Sequence, residues 1–368
     1  MRPVCLFIVN GLGMGNSTRC YAVIKKLSSV MDVHVLTCGN GEKFFQDKKD
    51  IKSLNIMDAL FYAQKEGGIS VARTFMSIGD LIRLARNKSK QLETLLTKLK
   101  PDIAVTDSEY SIFPLRRKGI PLAGLNNSDV IVTEYMKASG LPRSIKGQFW
   151  LVELNDYFFH RAFMDIVISP AALPTPSRHP KFKRVGLIVR DEILELSKIT
   201  QTQKFPAPRE LKRVALMLSG SVFASKIGPG LETLPFKIDV IGREGRSHDN
   251  VTYHGKLTNN VELLKSADML VINGGFSAVS EAISLNKPTF LIPVPGHAEQ
   301  HINGLLIEGL GAGYIVSEAD VVPKLARFHE INAWEGLAPS RRADVNTAGA
   351  VEAAEALIAF HAQVVKRA

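Results

Sequence analysis

Disulfide chemistry has little to work with in this chain. Its 368 residues include three cysteines, Cys5, Cys20 and Cys38, all near the N-terminus in apolar surroundings, with neither paired nor metal-ligand spacing. Buried, reduced thiols are expected. Long apolar runs are also missing. The opening MRPVCLFIVNGLG has a short apolar stretch that enters a glycine loop with no cleavage pattern behind it, which reads as a strand and not as an export signal. No run approaches the roughly 20 residues that cross a bilayer. The expected location is the cytoplasm, or the inner face of the cytoplasmic membrane as a peripheral protein. There is no G-x-S-x-G elbow, which excludes the usual hydrolase triad. None of the nine histidines belongs to an H-E-x-x-H motif. Recognition-helix, zinc-finger and RNA-platform signatures are absent as well, so nucleic acid is not an expected partner. That absence matters because the chain is basic, with 46 Lys and Arg against 36 Asp and Glu and a net charge of +10. Such an excess favours anionic partners of some kind, including acidic lipid or a phosphorylated substrate.

What is present is an ordinary globular balance, 45% hydrophobic and 22% charged, over a length that exceeds what one core usually organises. Short apolar runs of the type that become buried parallel strands occur at 4–9, 33–37, 103–106, 121–125 and 166–169. Helical patterns lie between them, as where Leu92, Leu95, Leu96 and Leu99 fall on one helical face. The proline-rich PAALPTPSRHP follows, and a second series of runs begins at 213–218, 238–242, 268–272 and 288–293. The expected fold class is α/β, with two Rossmann-like domains: residues 1–170, a linker at 171–185, residues 186–345, and a terminal helix within 346–368.

Two segments carry chemistry. After the run 268–272 comes NGGFSAVSEAISLNKPTFLIPVPGHAEQ. A strand that ends in Gly274 and Gly275 and opens a helix through Phe276, Ser277 and Ala278 leaves backbone N–H groups free at a positive helix end, suited to a diphosphate. Glu281, one turn on, has the reach and the acceptor oxygens for ribose hydroxyls. Glu299 and Gln300, past the next strand, offer an acid and an amide to sugar hydroxyls. The plainer reading of the two glycines is a tight turn. The second segment is N-terminal: the first strand leads into Asn10-Gly11-Leu12-Gly13-Met14-Gly15-Asn16-Ser17-Thr18-Arg19. Alternating glycines let backbone approach a ligand. The spacing is not that of a dinucleotide fingerprint, and VHVLTCGN supplies no acid after the second strand, which excludes a Rossmann dehydrogenase.

The order of elements from 271 to 313 resembles the donor-binding half of GT-B glycosyltransferases, particularly the MurG-like group, glycosyltransferase family 28. The N-terminal loop resembles the G-x-G-x-G-H-x-x-R pattern of that group and of nucleotide-sugar hydrolases, matched by Gly11, Gly13, Gly15 and Arg19. The resemblance implies two domains facing a central cleft, acceptor bound by the first and a UDP-sugar by the second, inverting transfer of a hexosyl or N-acetylhexosaminyl unit, and no cofactor or metal. By it, Gly274 to Ala278 hold the diphosphate, Glu281 the ribose, Glu299 and Gln300 the transferred sugar, and backbone near Leu257 the base. One departure stands out: Asn16 replaces the family's histidine and cannot take a proton near neutral pH. The acceptor base is therefore expected from Asp107 or Glu109, just past the strand 103–106, where a carboxylate faces the ligand crevice. Helix capping is the alternative use of Asp107.

The acceptor is a glycan, a lipid-linked molecule or a small molecule. Basic residues Arg83, Arg86, Lys88, Lys90, Lys98 and Lys100 and aromatic residues Phe149, Trp150, Phe158, Phe159 and Phe163 suit either an anionic membrane surface or a solvated helix beside a core helix. Two other functions fit the same motifs: a nucleotide-sugar hydrolase, and a catalytically silent sugar-nucleotide-binding protein.

Overall fold

A continuous apolar run makes VCLFIV a strand with two dry faces. In the computed structural model, which describes residues 2–58, 64–65, 68–69, 78–200, 211–218, 227, 230–257, 259–330 and 344–366, it is β1 (Val4–Val9). Cys5, Phe7 and Val9 point into one core, and Leu6 and Ile8 into another. β1 pairs in parallel with β2 (Asp32–Thr37) on one side and β6 (Ile103–Asp107) on the other. Outward from these lie β3 (Ser53–Ile56), β7 (Leu122–Leu125), β8 (Ile166–Pro170) and β9 (Phe182–Val185), in the order β3-β2-β1-β6-β7-β8-β9. The short β4 (Gln64–Lys65) and β5 (Gly68–Ile69) form a separate antiparallel pair.

The second sheet has the order β12-β11-β10-β13-β14-β15, also parallel throughout. Its strands are β10 (Arg213–Met217), β11 (Lys237–Ile241), β12 (Val251–Tyr253), β13 (Met269–Asn273), β14 (Thr289–Ile292) and β15 (Gly313–Ile315). Each sheet reverses its winding direction at its centre, between β1 and β6 and between β10 and β13. Open α/β sheets bind ligands at such switch points, beyond the carboxyl ends of the strands. The two glycine-bearing loops leave the sheets at those positions.

Helices cover the faces: α1 (Met14–Leu27), α2 (Asn40–Phe45), α3 (Ile78–Lys98), α4 (Phe113–Arg117), α5 (Ser128–Lys137), α6 (Arg143–Gln148) and α7 (Leu154–Phe163) in the first half. The second half adds α8 (Asp191–Thr200), α9 (Val261–Ser266), α10 (Phe276–Ser284), α11 (Ala298–Gly309), α12 (Val321–Glu330) and α13 (Gly349–Val365). A π-helical turn, Phe149–Glu153, joins α6 to α7.

Two features depart from a simple tandem. The segment 171–185, read as a linker, contains β9, which pairs with β8 and extends the first sheet to Val185. Its FKRV, with only Phe182 and Val185 buried, lacks the apolar run of a central strand because it lies at the edge. The terminal helix α13 returns to the first half, where Ala353, Leu357 and Phe360 share a core with Val23 and Leu27 of α1. The halves also meet at α11, whose Ala298 and Ile302 pack into the core that holds Ile145 and Phe149.

Candidate active site

The loop after β1 is folded on its own polar groups. Asn10 donates through Nδ2 to Ser108 O at 3.0 Å and accepts the Leu12 N–H at 3.1 Å, and Asn16 Nδ2 donates to Asn10 O at 3.2 Å. Asn16 thus braces the loop by hydrogen bonding. α1 starts after Gly13 with no capping side chain and no acid in its first turn. α10 starts after Gly275 in the same way. Each helix start therefore keeps unpaired N–H donors and about half a positive charge. The two starts meet across the cleft: Ser277 Oγ donates to Gly15 O at 3.0 Å. Two uncapped positive ends brought together repel each other, and an anion between them removes the repulsion.

The adjacent glycines of the second loop do different work. A Cβ on Gly274 would fall 2.6 Å from Gln300 Cβ and 2.8 Å from its carbonyl oxygen, so glycine is required there for packing. A Cβ on Gly275 would meet nothing within 4 Å, so its face is open. The Phe276 side chain is buried in the core beneath, leaving its backbone for a ligand, and Ala278 is partly packed against the same core.

Glu281 is buried and holds Arg190 in a two-point ion pair, with Nε to Oε1 at 2.7 Å and Nη2 to Oε2 at 2.9 Å. Arg190 also donates to Asn260 Oδ1 at 2.8 Å. Burial alone would lower the Arg190 guanidinium, but the Glu281 charge and hydrogen bond hold it above its ordinary value. Arg190 was not anticipated from the sequence: it follows an apolar stretch and no local pattern marks it. Leu257, on the loop after β12, is exposed.

Glu299 and Gln300 diverge although adjacent. Glu299 reaches toward the first half, where Asn127 Nδ2 donates to its Oε1 at 3.3 Å. Gln300 turns back, its Oε1 accepting the Val294 N–H at 2.9 Å, which orders the loop that leads into α11. Beside Glu299 lie His297 and, from the π-helical turn, the buried Glu153. Burial and the neighbouring Glu299 charge push the Glu153 carboxyl well above the usual carboxylate range. Gln148 links the same parts, donating to Glu153 Oε1 at 2.7 Å and accepting the Ala298 N–H at 2.9 Å.

Asp107 and Glu109 are placed differently from the expectation for an acceptor base. Asp107 is fully buried and takes both Nε and Nη2 of Arg19, at 3.0 and 2.6 Å, with the Cys20 thiol at 3.2 Å. Arg19 is thus turned inward onto β6. Burial lowers its guanidinium, and the Asp107 charge more than restores it. Glu109 accepts from Lys88 Nζ, and both groups are buried. Both carboxylates are shut off from solvent and engaged by a cation, so neither stands free at the cleft as that expectation requires. Lys88 itself leaves the solvated face expected of α3. The aromatic segment divides: Phe149 is buried, stacked on Tyr135 with ring centres 3.4 Å apart, while Trp150, Phe158 and Phe163 are exposed.

A family model described as glycosyl transferase family 1 matches residues 4–146 and 227–329, taking in both glycine loops. The chain belongs to glycosyl transferase family 1. Relatives of this family 1 glycosyltransferase include an uncharacterized glycosyltransferase of Methanosarcina acetivorans, 23% identical over 85% of each chain. Another, 24% identical over 64% of this chain and 65% of its own, is a UDP-N-acetylglucosamine--N-acetylmuramyl-(pentapeptide) pyrophosphoryl-undecaprenol N-acetylglucosamine transferase of Elusimicrobium minutum. Among solved structures, MurG of Acinetobacter baumannii superposes with a TM-score of 0.58 at 15% identity, covering 96% of this chain and 99% of its own. The family 1 transferase thus has the GT-B fold, two parallel-sheet Rossmann-like units with a cleft between them. Among its described residues no helix is long and apolar enough to cross a membrane.

Proposed function

We propose that the protein transfers a hexosyl or N-acetylhexosaminyl unit from a UDP-sugar to a glycan, lipid-linked or small-molecule acceptor with inversion, and that it needs no metal for transfer. The observation that carries this reading is the meeting of two uncapped helix starts at Gly13 and Gly275, joined by Ser277. There the N–H groups of residues 275 to 278 hold the diphosphate and stabilise it as it departs, the task a metal ion performs elsewhere, while the Ser277 hydroxyl keeps the two starts together. Glu281, fixed by Arg190, accepts from the ribose, backbone near Leu257 meets the base, and Glu299 lies toward the sugar, with Gln300 ordering the loop beside it. Gly13, Gly15 and Asn16 form the floor on which the acceptor approaches. Arg19 and Asp107 hold that floor from behind.

A lipid-linked acceptor has a specific observation in its favour. Trp150, Leu151 and Val152 are 55%, 67% and 51% exposed on the turn after α6, with the exposed Arg143 and Lys146 just before them. Apolar side chains beside cations suit the interface of an anionic membrane.

The test is turnover of purified protein with a panel of UDP-sugars, with and without candidate acceptors. Acceptor-dependent UDP release supports transfer. Equal release of free sugar without acceptor would establish hydrolysis instead, and tight UDP-sugar binding with no turnover on any acceptor would establish a silent binding protein.

A further inference from the structure

We propose that Glu153, His297 and Glu299 form a binding site for a divalent transition-metal ion of the Zn²⁺ type, set across the boundary between the two halves. One carboxylate oxygen of Glu153, one ring nitrogen of His297 and one carboxylate oxygen of Glu299 lie within 4.8 Å of one another. Ligand atoms around a tetrahedral zinc ion stand about 3.4 Å apart, so small side-chain rotations close the set.

Three observations support a cation here. Glu153 and Glu299 are two carboxylates side by side, one of them buried, and among the described residues neither forms an ion pair with Lys, Arg or His. Every other buried carboxylate discussed above has its cation. His297 Nδ1 is shut off from solvent and has no hydrogen-bond partner, which is costly for a ring nitrogen unless something occupies the space beside it. Both carboxylates are also held from outside: Gln148 donates to Glu153 Oε1 and Asn127 to Glu299 Oε1. Amides that orient ligand carboxylates are the usual outer support of a metal site.

The ligand set selects the ion. Two oxygens alone suit Mg²⁺ or Ca²⁺, whereas an imidazole nitrogen with carboxylates suits Zn²⁺ and its neighbours in the first transition row. Two carboxylates and a neutral imidazole also balance the charge of one divalent ion. The position gives the ion its effect. Glu153 sits on the π-helical turn of the first half, while His297 and Glu299 sit at the start of α11 in the second, so a bound ion staples the cleft. An ion held by Glu299 also competes with a sugar at that residue, a consequence that rests on the reading of Glu299 as a donor contact.

The experiment uses the full chain, stripped with EDTA and titrated with ZnCl₂ by calorimetry, with CoCl₂ as a spectroscopic probe. One Zn²⁺ per chain is expected, with a rise in melting temperature and visible Co²⁺ bands of low-coordinate nitrogen and oxygen ligation. Glu153→Gln and His297→Gln, both close in volume to the original residues, should each weaken Zn²⁺ at least tenfold while leaving UDP affinity within twofold. Absence of stoichiometric binding, or equal Zn²⁺ affinity in both variants, overturns the site. The donor reading is scored separately: if Zn²⁺ binds as stated but leaves UDP-sugar affinity unchanged, the site stands and the role of Glu299 falls. If Zn²⁺ does not bind and UDP-sugar does, the metal site falls alone.

Discussion

Gly274 and Gly275 are neighbours in sequence, yet alanine at one should damage the fold and at the other the ligand. At Gly275 the backbone has φ −65° and ψ 135°, which any residue adopts, and the new methyl meets nothing within 4 Å. Alanine there gains about 0.4–1 kcal/mol by restricting the unfolded chain. It loses a comparable amount because alanine is a poor helix N-cap. Stability should stay within about 1 kcal/mol of the parent. The methyl does, however, stand where a diphosphate oxygen must approach the backbone. Loss of one hydrogen bond to a charged group costs about 1.5–3 kcal/mol, or roughly 10- to 100-fold in Kd. At Gly274 the same methyl is forced to 2.6 Å from Gln300 Cβ, and backbone must move, at a cost of about 1–3 kcal/mol. Urea denaturation of both variants and calorimetric titration with UDP separate the two effects. A Gly275→Ala protein that binds UDP within twofold of the parent would refute the seat of the diphosphate. A Gly274→Ala protein as stable as Gly275→Ala would refute the packing argument.

Other outcomes follow from the buried ion pairs. Glu281→Ala leaves Arg190 buried without its partner, so a loss of about 3–5 kcal/mol in chemical denaturation is expected together with weaker UDP binding; unchanged affinity by calorimetry removes the ribose assignment. Asp107→Asn and Glu109→Gln strand Arg19 and Lys88, and each should lower the melting temperature; if either keeps the parent's melting point and loses turnover with donor still bound, that carboxylate is the base after all. His160, buried on α7, is opposed by burial but held above its ordinary pKa by the charge of Asp156, 3.1 Å away. Its contribution is full below the unfolded pKa of 6.5 and is lost as pH rises through the higher folded value. Stability against urea, followed from pH 6 upward, should therefore fall more steeply in the parent than in His160→Gln, and parallel curves would count against the coupling.

The central strands were legible because a parallel strand covered on both faces must be apolar along nearly its whole length, as VCLFIV is and as MLVIN is up to Asn273. The edge strands were not: SLNI, FKRV and GYI face solvent on one side and carry no such run. The glycine loops announced themselves because backbone that must approach a ligand or another chain segment admits little else. What stayed hidden was the use of the charges. Arg19 and Asp107 are 88 positions apart, Arg190 and Glu281 are 91 apart, and Lys88 and Glu109 are 21 apart. No spacing rule joins such pairs, since only the sheet brings them together. Asp107 therefore read as a free carboxylate at a strand end, and Lys88 as one charge in a solvated row. Glu153 was silent for a similar reason: a π-helical turn between two helices gives its side chain a direction that helical spacing does not predict.

The return of α13 to the first half has a consequence for how the protein is made. Val23 and Leu27 of α1 leave the ribosome long before Leu357 and Phe360. Until then the part of the first half's core that α13 covers stays open, so that core is completed only once α13 has been made. A cut between the two halves therefore takes from the first the helix that covers this face of its core.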